Sequence, residues 1–190
     1  TRKVAPPLVL QSLGTHPVVA LTFDDLPAAG GLPPGQDRVT ILTTLGAELR
    51  ANHLEGTYGF VNAIDLENDE DAQEGLHAWL DAGMNIGNHT WSHQLLPDGS
   101  VKVFERQIAE DEPSLEVYAR TRDWRWFRYP ALLEGETVRK RRAVLKYLAA
   151  RHYHIARVTL DFEDDAWNDA YARCAAKKDE ASVGWLKQSY

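Results

Sequence analysis

The chain has 190 residues, enough for one domain able to bury roughly 70% of the surface that its unfolded form exposes. A composition of 44% hydrophobic and 26% charged residues suits a chain with a proper core, and no apolar run is long enough to span a bilayer. A formal net charge of −7 excludes nucleic acid and anionic membranes as main partners, because such surfaces need clustered Lys and Arg.

Residues 1–17 read as an N-terminal extension without the pattern of a signal peptide. Val18 to Phe23 then forms a buried strand that runs into Asp24 and Asp25 and is stopped by Pro27. Adjacent carboxylates repel, and burial raises both pKa values, so a cation or an arginine is expected beside them. Neighbours in extended chain point to opposite sides, which lets one carboxylate face a metal and the other a substrate.

Ala28 to Gln36 is a loop rich in Gly and Pro. Asp37 caps a helix with an apolar stripe of Ile41, Leu42, Leu45 and Leu49. Thr57 to Val61 is a short strand, and a helix carrying Ala72, Leu76, Trp79 and Leu80 ends at Gly83. Met84 to Gly87 is strand-like and delivers Asn88-His89-Thr90-Trp91-Ser92-His93. A helical region from about Val101 to Arg120 is broken or kinked near Pro113. Trp124 to Arg128 reads as a strand ended by Pro130, with Trp124 and Trp126 packing into the core.

A helix from Glu136 to Arg151 carries the basic run Arg139 to Arg142 as a solvated face. It leads to a strand over His154 to Leu160, an acidic loop over Asp161 to Asp165, and a final helical pattern. The lone Cys174 has no partner for a disulfide or a thiolate site. Strand and helix alternate throughout, which predicts parallel strands with helices outside, as a barrel or an open doubly wound sheet. Asp24, Asp25, His89, His93, Arg128 and Asp164 all fall at or after strand ends, so either arrangement gathers them on one face.

His89 and His93, four apart, reach one ion if the segment makes a helical turn. Thr90 stands where a zincin would carry its glutamate, so that protease motif is absent. Asp25 is the natural third donor. Two imidazoles and a carboxylate leave positions open for water and substrate, as catalytic rather than structural sites do. An acidic pair of a phosphatase on an open sheet is a weaker reading, because such pairs are spaced by one residue so that both face the ion.

Thr22-Phe23-Asp24-Asp25, His89-Thr90-Trp91-Ser92-His93 and Phe127-Arg128-Tyr129-Pro130, in this order, resemble the polysaccharide deacetylases with a NodB-homology domain, carbohydrate esterase family 4. The resemblance covers residues 18 to about 170 and implies a distorted (β/α) barrel over residues 18–190. It also implies a divalent metal, most often zinc, and removal of acetyl groups from an N- or O-acetylated polysaccharide by an exported protein. Residue by residue it implies Asp25, His89 and His93 as metal ligands, Asp24 as general base and Arg128 as the residue that holds Asp24. Asp164, or Asp165, is expected to balance Arg128. Ala131 occupies the position of the family's tyrosine, whose main-chain N–H binds the oxyanion. Trp91, Tyr129 and Trp167 are the candidate substrate contacts, with core packing the favoured alternative for Trp91 and Trp167.

The family's last strand bears Leu-x-His, with the histidine as general acid. No histidine follows His154 here, and His152 and His154 lie at the wrong end of their strand to replace it. The expectation is a domain truncated at its C-terminus, with the acid supplied by a further segment or by another chain. The alternative is a carbohydrate-binding or scaffolding protein that keeps the metal without turnover.

Overall fold

A computed structural model describes residues 18–28 and 30–190, so the N-terminal extension lies outside the described residues. Five parallel strands form one sheet in the order β1-β2-β3-β4-β5: Thr22–Leu26, Tyr58–Val61, Asn85–Asn88, Trp126–Phe127 and His154–Ile155. The helices are α1 (Arg38–Ala51), α2 (Glu70–Asp81), α3 (Val101–Ala119), α4 (Val138–Ala150), α5 (Asp165–Ala176) and α6 (Glu180–Ser189). Strand order equal to chain order is what right-handed βαβ crossovers produce, and the expected α/β architecture is present. Among the described residues the sheet is open between β1 and β5 rather than closed into a barrel.

Local chemistry explains most of the helix starts. Asp37 accepts from the Thr40 N–H, Asp69 from Ala72, Ser100 from Val103 and Thr137 from Lys140, each supplying one of the donors that a helix start leaves free. Gly83 ends α2 with φ 96°, a left-handed position that a side chain would strain. The apolar stripes then bury where periodicity placed them: Leu42 and Leu49 of α1, and Ala72, Leu76, Trp79 and Leu80 of α2. Trp79 has no exposure, meets Phe23 edge-on at 5.7 Å, and donates its indole N–H to the Asn85 carbonyl. Gly87 is required by close approach, since a Cβ there would lie 2.7 Å from both the Phe60 ring and the Trp126 carbonyl.

Four expectations shift. β1 begins at Thr22 rather than Val18, and Val18 and Val19 are exposed. Its pairing with β2 slips between Phe23 and Leu26, which puts Asp24 and Asp25 inside an irregular strand instead of beyond its end. The α3 helix runs through Pro113 as one helix. The strands expected over 124–128 and 154–160 shrink to two residues each. Ala156 still donates to the Phe127 carbonyl, but its own carbonyl accepts from Arg128 Nε, so a side chain takes the place of the next rung. Between β2 and α2 a short 3-10 turn, Ala63–Leu66, was not legible in the periodicity.

Candidate metal centre

The β1 irregularity, more than strand alternation, separates the two aspartates. Asp25 takes φ 58°, a left-handed conformation uncommon outside glycine and tolerated by Asp, and this turns its carboxylate away from that of Asp24. Asp24 meets Arg128: Nη1 donates to Oδ1 at 2.8 Å and to Oδ2 at 3.0 Å. The guanidinium is buried, lies 4.6 Å from the Phe60 ring centre, and spends Nη2 on Thr22 Oγ1 and Nε on the Ala156 carbonyl. Its recorded partners therefore exclude Asp164, which was expected to balance it; Asp164 and Asp165 instead line a cleft shared with Asp24 and Asp25.

Asp25 meets the histidines. Its Oδ1 lies 3.4 Å from His89 Nε2 and 3.4 Å from His93 Nε2, and the two rings are 5.1 Å apart. Residues 89–93 are not helical as the i, i+4 spacing suggested; Thr90 (φ 68°) and His93 (φ 54°) are left-handed, and the turn between them folds the rings together. His89 is buried, and its Nδ1 lies 2.9 Å from the Arg128 carbonyl. A carbonyl only accepts, so in the neutral imidazole Nδ1 carries the proton and Nε2 presents a lone pair to Asp25. The far side of the turn is fixed by Asn88, which accepts from the Thr90 N–H and donates to the Ile108 carbonyl and the Tyr153 hydroxyl.

Charge and burial oppose each other here. Burial pushes the Asp25 carboxyl up, but the close approach of His89, with His93 beside it, leaves it below its ordinary range. Burial lowers His93, against the pull of Asp25. Asp65, in the 3-10 turn, is raised by burial and by the neighbouring carboxylates of Asp25 and Asp69, against the opposing pull of Arg38.

A cation satisfies this arrangement. Asp25 Oδ1 is a buried oxygen with no hydrogen-bond partner, facing two imidazole nitrogens. Bonds of about 2.0–2.1 Å in a tetrahedron place neighbouring ligand atoms about 3.3–3.4 Å apart, the separation found between Asp25 and each histidine. Asp25, His89 and His93 together form a group able to hold a metal ion. Beside them opens the cleft, about 620 Å³, with Asp24 and Asp25 on one wall and Asp164, Trp167 and Tyr190 on the other.

The remaining expected residues are distributed unevenly. Trp167 lines the cleft and packs against Trp185 and Tyr190. Ala131 has φ 49° within a tight turn whose next two N–H groups, of Leu132 and Leu133, return to the Tyr129 and Pro130 carbonyls. Tyr129 is a core residue instead of a substrate wall: its ring stacks on Phe104 and meets Phe127 edge-on, and burial pushes its hydroxyl up to about 12. Trp91 is half-buried against the core. Both stand beside chemistry-bearing residues in sequence, but their rings pack against the core. Sequence reasoning missed Asn62 and Asp111, buried polar residues at the histidine turn. Asp111 had a readable signal, since it interrupts the apolar stripe Phe104, Ile108, Leu115 of α3.

The polysaccharide deacetylase family model matches residues 13–150. Among solved structures, the chain is similar to a family 4 carbohydrate esterase from Streptomyces lividans, with 22% identity and a TM-score of 0.55 over 78% of this chain and 66% of that one. It is similar to the chitin deacetylase of the fungus Colletotrichum lindemuthianum, with 21% identity and a TM-score of 0.57 over 84% and 63%. It is also similar to BA3943, a family 4 pseudoenzyme from Bacillus anthracis, with 16% identity and a TM-score of 0.58 over 92% and 63%. These likenesses concern the fold, and the chain spans less than two thirds of each of these proteins. No curated protein matched. Fold and family model agree: the chain belongs to the polysaccharide deacetylase family.

Proposed function

We propose that this chain is a metal-dependent hydrolase that removes acetyl groups from an acetylated polysaccharide. The observation that carries the reading is Asp25 Oδ1, buried without a partner and 3.4 Å from Nε2 of both His89 and His93. Asp25, His89 and His93 are the ligands, and two imidazoles with one carboxylate favour zinc among divalent ions. When bound, such an ion supplies Lewis acidity, polarising the acetyl carbonyl and bringing the pKa of water from about 15.7 toward about 7.

The chain's own residues do the rest. Asp24 is the base that takes a proton from the attacking water, and Arg128 holds it in place through Nη1 at 2.8 and 3.0 Å. The main-chain N–H of Ala131 is the donor for the developing oxyanion, a role in which one such group is worth about 2.7–4 kcal/mol. Because that donor is backbone, alanine in place of tyrosine removes a side-chain contact and leaves the hydrogen bond. Trp167 offers a flat apolar face on the cleft for a sugar ring. Among the described residues no helix is long and apolar enough to cross a membrane.

The test measures metal content and acetate together. Zinc-supplemented protein is expected to hold one ion per chain, to lose it in His89→Ala, and to release acetate from N-acetylglucosamine oligomers, peptidoglycan or acetylated xylan. Asp24→Asn should keep the ion and lose acetate release. No ion at stoichiometric occupancy overturns the ligand assignment. An ion without acetate release from any of these polymers, in a chain extended past Tyr190 as well as in this one, supports the carbohydrate-binding alternative instead.

A further inference from the structure

The turn that presents the histidines has no regular secondary structure, yet its three successive carbonyls are all taken. Asn62 Nδ2 donates to the carbonyls of His89 and of Thr90, each at 2.8 Å. The Ile64 N–H donates to the Trp91 carbonyl at 3.0 Å. Asn62 and Ile64 flank the start of the 3-10 turn, and that turn is itself anchored: the Ala63 N–H donates to Asp111 Oδ1 at 2.9 Å. Asp111 sits on α3 with no exposure, and the same helix accepts the Trp91 N–H through the Gln107 carbonyl at 3.0 Å. A bracket of three residues, 62–64, is thus clamped between helix and histidine turn.

Packing alone does not account for these side chains. Asp111 Oδ2 is buried with no hydrogen-bond partner, and a carboxyl left half-satisfied in an apolar stripe is worse for stability than an apolar side chain of the same size. What the carboxyl adds is direction. It fixes where the Ala63 N–H lies, hence where the Asn62 amide points, and hence the path of residues 89–91.

We propose that Asn62 and Asp111 are positioning residues for the metal centre, which hold the main chain at 89–91 so that the His89 imidazole is aimed at Asp25. The proposal rests on the reading of Asp25, His89 and His93 as ligands. Groups that orient metal ligands in this way typically contribute 10–100-fold in metal affinity.

The experiment titrates zinc alone into the full chain by calorimetry, alongside thermal unfolding. Asn62→Ala and Asp111→Leu are expected to weaken zinc binding about 10–100-fold, whereas Asp111→Asn keeps an acceptor for Ala63 and stays within about threefold of the parent chain. Leu115→Ala, a buried cavity variant on the same helix, controls for stability: it should lower the melting temperature and leave zinc affinity unchanged. A parent chain that binds no zinc sinks the ligand reading and the proposal with it. Zinc binding in the parent chain with unchanged affinity in both weakened variants sinks the proposal alone. An equal loss of affinity in Leu115→Ala, or failure of Asn62→Ala and Asp111→Leu to fold in excess zinc, makes the two residues structural and also overturns it.

Discussion

The two flanks of the cleft are built on different principles. The sheet side carries Asp24, Asp25 and the histidines on strands and turns held by directional hydrogen bonds from Arg128, Asn62 and Asn88, over wholly buried side chains such as Trp79, Phe60 and Phe104. The α5–α6 side has no buried residue in α5 and only Leu186 in α6, and it leaves Leu160, Phe162, Trp185 and Tyr190 exposed. Directional hydrogen bonds fix atoms to fractions of an ångström, as a metal centre requires, while a few apolar contacts fix a helix pair only loosely. On the proposed function the first flank carries the chemistry and the second the substrate contact.

That contrast can be broken by substitution. Trp79→Ala empties a fully buried site and should lower the unfolding free energy by about 3–5 kcal/mol in a denaturant titration; a loss below 1 kcal/mol, on the order of a surface change, would mean the sheet flank is less tightly packed than its burial indicates. His89→Ala should lower acetate release about 10³-fold, because the Lewis acid supplies several kcal/mol and one of its three ligands is gone. Arg128→Leu leaves Asp24 without its partner. The cost should fall below the about 3–5 kcal/mol typical of a broken buried pair, since the Asp24 side chain keeps 31% exposure to water.

On the other flank the effects should be smaller and of another kind. Trp167→Ala is expected to raise KM for an oligosaccharide by about fivefold, roughly 1 kcal/mol, with kcat and melting temperature nearly unchanged. A matching fall in kcat would place Trp167 in the chemistry and erase the division of labour. Hydrogen exchange sharpens the same point: amides of α5 and α6 should exchange well before those of β2, β3 and α3. Equal protection on both sides would show the helix pair to be as firmly fixed as the sheet.

Much of this was legible in the chain. The helix caps Asp37 and Gly83 and the stripes of α1 and α2 follow from local rules that act within one or two turns. The grouping of Asp25 with His89 and His93, and of Asp24 with Arg128, was readable from residue type and order alone. The partners of Arg128 and the burial of Tyr129 were not legible, because the course of the chain after a two-residue strand depends on where that strand stops, and its stopping point is set by pairing with neighbours far along the chain.

The amino-acid order by itself determined the alternation of strands and helices, the family, and the identity of the residues that meet at the centre, since each of these depends on local propensity or on residue type. Only the tertiary structure decided that Asp25 turns to the histidines while Asp24 turns to Arg128, and that Asn62 and Asp111 stand behind His89. Those outcomes depend on a slipped strand register and on hydrogen bonds between segments distant in sequence, which no local pattern encodes.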